Sequence, residues 1–185
     1  MEIDKFDKEA YNRTLSEASK DDANAIPLID AAYIVCKLDA LTDQVCKELR
    51  YGQELSGCDA YLQANGIHWF IEFKNQDVKG VYGKRVDLWK KAYDSISTVR
   101  MALDQEITLD KLCQNAILLV VYQDNKPESE HFKRLREKGA LWGKITEFIR
   151  DGLRPLEGKL YREVHTIPAT EFRQKWIPRI WGGEI

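Results

Sequence analysis

Two short apolar stretches, Cys58-Asp59-Ala60-Tyr61-Leu62-Gln63 and Ile67-His68-Trp69-Phe70-Ile71-Glu72-Phe73-Lys74, flank the dipeptide Asn65-Gly66. Asn-Gly between apolar runs is a strong hairpin signal, because both residues tolerate the positive φ of a two-residue primed turn. The spacing places Ala64 opposite Ile67, and counting back along both strands brings Asp59 opposite Glu72. Upstream, Ile34, Leu38, Leu41, Val45 and Leu49 recur at three- and four-residue steps. That period predicts one amphipathic helix running from about Ile26, with Pro27 near its start. Gly52 and Gly57 then leave room for a short strand around Arg50 to Ser56.

Beyond the hairpin, the polar stretch Asn75 to Gly83 leads into a second predicted helix beginning near Lys84. Its core stripe reads Val86, Trp89, Tyr93, Ile96, Val99 and Leu103, which leaves Lys90, Lys91, Asp94 and Ser97 off the stripe. Ala116-Ile117-Leu118-Leu119-Val120-Val121-Tyr122 is an unbroken, β-branched apolar run, the pattern of a central strand buried on both faces. A helical region follows with Phe132, Leu135, Leu141, Ile145, Phe148 and Ile149. Leu160 to Ile167 is the last predicted strand, and Thr170 to Trp176 a short helix ended by Pro178. Met1 to Asp22, charged and weakly periodic, is expected to form a helical or loosely ordered arm. Helix, strands, helix, strand, helix, strand in that order predicts an α/β fold with a mixed sheet covered on both faces.

At 185 residues the chain suits one domain, with 44% hydrophobic and 31% charged residues. No run approaches the roughly 20 apolar residues of a membrane span, and the polar N-terminus lacks the regions of a signal peptide. No membrane partner and a cytoplasmic location are therefore expected. Cys36, Cys46, Cys58 and Cys113 show no paired spacing, so they are expected as reduced, core-packed thiols rather than zinc ligands. A net charge of −2 excludes a strongly basic nucleic-acid-binding surface. Phosphate recognition would have to be local, within the Debye length of about 8 Å.

The opposed acids carry the chemistry. Cross-strand Cβ atoms lie about 4.5–5.5 Å apart, so two carboxylates there repel by about 3 kcal/mol at an effective dielectric near 20. Lys74 shares the strand parity of Glu72, points to the same face and offsets part of that cost. A divalent cation offsets the remainder. Mg²⁺ characteristically binds through one or two carboxylates while keeping sites for water and phosphate oxygens. The reaction such a face serves is phosphodiester hydrolysis, with Lys74 orienting the nucleophile or stabilising transition-state charge.

Asp59, twelve intervening residues and then Glu72-Phe73-Lys74 on an apolar strand resembles the PD-(D/E)XK nuclease superfamily. Its signature is an acid on one hairpin strand and an acid-x-lysine triplet on the next, with a helix before and a helix and strand after. Cys58 stands where a proline often precedes the first acid, and the Gln-x-x-x-Tyr element of some branches is missing. The resemblance spans roughly Ile26 to Tyr122 and leaves the branch unassigned. It implies a restriction-endonuclease-like three-layer α/β/α core with a mixed central sheet and extra helices. It implies a Mg²⁺- or Mn²⁺-dependent nuclease acting on nucleic acid, DNA favoured over RNA, with Asp59 and Glu72 as metal ligands and Lys74 as the catalytic lysine.

Other residues are candidates of lower rank. Gln76 shares the parity of Lys74 and would orient water or touch phosphate, although a loop glutamine is the first reading. Lys91 and Asp94 are auxiliary candidates whose first reading is a solvated helix face, and Glu48 is a helix acid that would add a metal ligand. Lys84, Arg85, Lys90 and Lys91 form the best local phosphate-contacting group. His68, His131 and His165 are expected to be partly exposed structural residues. Trp69, Trp89 and Trp142 are expected in the core, and Trp176 and Trp181 as contact residues for a partner chain or nucleic acid. The competing functional reading is a nuclease-fold protein without catalysis, a binding or regulatory partner that dimerises through this C-terminus. A Lys74 held away from the acids would favour it.

Overall fold

The computed structural model describes residues 8–20, 26–50, 54–75, 84–103, 107–124 and 152–182. Six strands form one mixed sheet, and their spatial order repeats their order in the chain. They are β1 (Asn12–Thr14), β2 (Ile34–Cys36), β3 (Ala60–Ala64), β4 (Ile67–Lys74), β5 (Ala116–Tyr122) and β6 (Glu163–Pro168). β1 to β4 run antiparallel to their neighbours, and β4, β5 and β6 run parallel.

The helices among the described residues include α1 (Leu15–Ala18), α2 (Leu38–Glu48), α3 (Arg85–Thr98), α4 (Leu109–Asn115) and α5 (residues 169–181). They cover both faces of the sheet. On one face Leu38, Leu41 and Val45 of α2 and Leu88, Ala92 and Ile96 of α3 pack on Phe70, Leu118, Val120 and Val164. On the other, Leu15 of α1 and Phe172, Trp176 and Ile180 of α5 pack on Trp69, Ile71, Ile117, Leu119 and Val121. Alternation along β4 and β5 feeds both layers, so β5 is buried along its whole length, as its apolar run predicts.

The hairpin register matches the expectation. Ala64 pairs with Ile67 and Ala60 with Ile71, and the turn residues Asn65 and Gly66 have φ of 54° and 72°. Both values lie in the left-handed region that a type I′ turn requires at its two central positions. Extending the pairing by one step sets Asp59 against Glu72.

Several expected elements differ. The helix expected from about Ile26 begins only at Leu38, because Ile34-Val35-Cys36 is strand β2. Ile34 falls in phase with Leu38 by coincidence and is 54% exposed. Within the stretch expected as an arm, Asn12–Thr14 pairs with β2, and Leu15 is fully buried at the start of a turn capped by Thr14 and Glu17. Glu54 to Ser56 are not in a strand. Pro178 does not stop the last helix. Ile177 N–H reaches back five residues to the Phe172 carbonyl, and this π-turn precedes a final segment, Ile177–Trp181, with Pro178 in its first turn. The helical region expected around 132–149, with Trp142 and His131, lies outside the described residues.

The stripe of α3 is rotated from the predicted one. Val86 is 74% exposed and Tyr93 50%, whereas Leu88, Ala92, Ser95, Ile96 and Val99 are buried. Small residues let α3 approach the sheet closely, and the bulky aromatics take its rim. Trp89 is half-buried there and donates to the Gly152 carbonyl at 2.8 Å. α2 and α3 meet through the buried hydroxyls of Thr42 and Thr98, 3.1 Å apart.

Gly57 lies at this junction, where a Cβ would sit 2.4 Å from Thr42 Oγ1 and 3.0 Å from the Leu38 carbonyl oxygen. Overpacking of this kind costs about 1–3 kcal/mol. Gly57→Ala is therefore expected to lower the unfolding free energy measured in urea by that amount, through a lower midpoint at an unchanged m-value, and wild-type stability in this variant would show that the helix junction yields freely.

Candidate functional site

The segment leading into β3 is fixed from α3. Ser56 N–H donates to Asp94 Oδ2 at 2.8 Å, Cys58 N–H donates to Ser95 Oγ at 2.8 Å, and Lys90 Nζ donates to the Glu54 carbonyl at 2.7 Å. Asp94 and Lys90 thus both bind backbone. The Phe73 N–H then donates to Asp59 Oδ2 at 2.6 Å, which ties Asp59 to β4 beside Glu72.

Glu72 is 1% exposed, although it sits in the polar half of the hairpin pair. Lys74 Nζ lies 2.5 Å from its Oε1. Lys91, 21% exposed, reaches down from α3 with Nζ at 2.8 Å from Glu72 Oε1, 3.0 Å from Glu72 Oε2 and 3.3 Å from Asp59 Oδ1. Two acids and two ammonium groups therefore form one compact cluster on the sheet face covered by α2 and α3. Lys91 is the member that sequence periodicity assigned to a solvated face. Its position three residues after Leu88 and four before Ser95 was the signal, visible only once the smaller residues are taken as the buried stripe.

The electrostatics of the cluster are unequal. Burial, then the charge of Glu72, pushes the Asp59 carboxyl up to about 7, against the opposing pull of Lys91, the Phe73 N–H and Lys74. Burial disfavours the charge on Lys91, but Glu72 and Asp59 outweigh it and hold the ammonium well above the usual lysine range. Burial, with Glu72 adding to it, pushes the adjacent Cys58 thiol far up, which removes it as a nucleophile.

Asp39, in the first turn of α2, was not singled out from the sequence. Partial burial raises its proton affinity, and Lys37 and Lys91 lower it, so Asp39 lies within the field of the cluster. Its signal was an acid in the first turn of the helix that precedes the hairpin. Glu48, the helix acid expected as an extra ligand, is roughly 13 Å further along the helix axis. It is exposed and accepts a hydrogen bond from Gln44 at 2.7 Å.

Of the other candidates, Lys84 is exposed just before α3, while Gln76 and the Arg85 side chain lie outside the described residues. His68 is buried rather than partly exposed, with Nδ1 2.8 Å from the Tyr61 hydroxyl. His165 is half-buried, 3.0 Å from Glu163 and tilted against the Trp176 ring. Trp176 is a core residue rather than a contact residue, edge-on to Trp69 and under the Arg179 guanidinium. Trp181 is half-buried and stacks on Tyr33 with ring centroids 4.8 Å apart. All four cysteines are free, with Cys36 and Cys58 buried and Cys46 and Cys113 half-buried.

Asp59 and Glu72 offer hard oxygen donors on one side of an ammonium group, and an ammonium in that place is a stand-in for a cation. The donor chemistry fits a Mg²⁺-type ion that takes two carboxylates and leaves its other positions open. Among the described residues, no cluster of three or more His, Cys, Asp or Glu side chains is arranged to hold a metal. No helix of the described residues is long and apolar enough to cross a membrane. Neither family models, curated proteins nor solved structures match this chain.

The raised Asp59 carboxyl makes stability depend on pH. An aspartate in the unfolded chain titrates near 3.9, so between about pH 4 and 7 the folded state holds a proton that the unfolded state has lost. The resulting stabilisation is complete below about pH 4 and disappears as pH rises through 7; it is on the order of a few kcal/mol. Asp59→Asn removes it. The difference in melting temperature, wild type minus variant, is expected to fall across this window and to be negative at pH 8. A flat or rising difference by scanning calorimetry would rule out the assigned environment of Asp59.

Proposed function

We propose that the chain is a metal-dependent nuclease of PD-(D/E)XK type that hydrolyses phosphodiester bonds of nucleic acid, with DNA the favoured substrate. One observation carries the reading: Asp59, Glu72 and Lys74 converge on one sheet face of a hairpin that has a helix before it and a helix and parallel strand after it. That combination of order and side chains underlies the restriction-endonuclease-like assignment of the α/β core.

Asp59 and Glu72 would hold the cation. Mg²⁺ or Mn²⁺, when bound, supplies charge that polarises a phosphoryl oxygen and acidifies water. Glu72 fixes the Lys74 ammonium by a 2.5 Å contact, which directs it at the site rather than at solvent. From there Lys74 donates to the attacking water or to charge that grows on the phosphate oxygens in the transition state. The Phe73 N–H holds one Asp59 oxygen, leaving the other turned toward Lys91 and the cluster. Lys84, exposed at the head of α3, is placed to take a neighbouring phosphate.

A second reading has an observation in its favour. Lys91 already neutralises the acids, as expected if the fold has given up catalysis and serves as a binding partner. Dimerisation through the C-terminus loses part of its basis, since Trp176 is buried within its own chain.

Cleavage of plasmid, linear duplex and single-stranded DNA, and of RNA, in Mg²⁺ or Mn²⁺ decides between the two. Activity is expected with metal and not in EDTA. Asp59→Ala and Lys74→Ala are each expected to reduce it by at least about a hundredfold, the usual scale for losing one transition-state contact. Full activity in either variant would remove that residue from the mechanism, and no cleavage of any polymer would leave the non-catalytic reading standing.

A further inference from the structure

Lys91 lies on α3, three residues after the buried Leu88. Its ammonium spans Asp59 Oδ1 and both oxygens of Glu72, the point from which one cation engages both acids. The long lysine stem allows its head to move between carboxylates without moving the helix.

We propose that Lys91 is an exchangeable internal counter-ion: its ammonium holds the position between Asp59 and Glu72 that a divalent cation would take, and gives it up when that cation binds. This rests on the metal-site reading given above and adds an order of binding to it. With both acids ionised and no metal bound, two acids and two lysines cancel, and the cluster offers a phosphodiester no net attraction. With a divalent ion in place of one ammonium the four-sided cluster carries one excess positive charge, the complement of one phosphodiester. The polymer is therefore recruited by the loaded site, after the metal. Lys91 also keeps the buried Glu72 paired whenever metal is absent, so the empty fold does not bear an unpaired interior charge.

Mn²⁺ binding, followed by the loss of the free-ion paramagnetic resonance signal and by calorimetry, tests the exchange without reference to activity. Lys91→Met and Lys91→Gln are expected to bind Mn²⁺ at least about tenfold more tightly than wild type, because a competing charge within contact distance is gone. Both are expected to melt at lower temperature than wild type in EDTA and to recover in Mn²⁺. Wild-type affinity in Lys91→Gln, with binding abolished by Asp59→Asn, overturns the exchange and leaves the metal site standing. Absence of Mn²⁺ binding in wild type and in both Lys91 variants overturns the metal site and the exchange together. If neither neutral variant folds without metal, Lys91→Arg provides the measurement. Its guanidinium forks onto the Glu72 carboxylate, so Mn²⁺ should bind more weakly than to wild type, and equal affinity overturns the proposal.

Discussion

A carboxylate that is 1% exposed in the middle of a sheet must be paired with cations or give up its charge, and the placement of α3 follows from that condition at Glu72. Lys74, two residues along the same strand, supplies one partner through strand parity alone. The second has to come from outside the sheet. α3 brings Lys91 to Glu72 and, with the same turns, holds Ser56 and Cys58 through Asp94 and Ser95. The helix that neutralises the acids therefore also fixes the strand entrance that presents Asp59. Tyr161 reinforces the same helix from below, its hydroxyl donating to the Ala92 carbonyl at 2.8 Å.

This sharing of duties explains the small residues on the inner surface of α3. Ala92 and Ser95 leave room for the segment 54–58 and for Tyr161, and Gly57 leaves room for α2. Larger side chains would push the helix off the sheet and lengthen every contact Lys91 makes. The bulk is displaced to Trp89 and Tyr93, which stack on each other with ring centroids 6.0 Å apart. Close approach is favoured over side-chain volume wherever the cluster depends on it.

Much of this was legible in the amino-acid order, and the failures have a common cause. The Asn65-Gly66 turn determined the register, because only one pairing follows from a two-residue loop, and the apolar run of β5 announced a doubly covered strand. Asp59, Glu72 and Lys74 came together as counting predicted. Ile34 was misassigned because an isolated strand of three residues can fall in step with a helix that starts just after it. The α3 stripe was misread because size was taken as a proxy for burial, and that error ranked Lys91 as a solvated residue first and a site auxiliary second. Pro178 was read as a stop, yet a π-turn immediately before it lets the helix carry on. In each case tertiary packing outweighed a local pattern that was sound by itself.

Because the strands lie in the sheet in the order in which they occur in the chain, the parts of the site form at different distances along it. Asp59 and the Phe73 amide are 14 residues apart and meet by closing a hairpin, an event of roughly microseconds. Lys91 is 32 residues from Asp59 and 19 from Glu72, and it arrives only when α3 has docked. Both acids and Lys74 are thus built from near neighbours and the second ammonium comes from a later, longer closure, so the young hairpin meets the rest of the chain with one acid in excess, awaiting its helix.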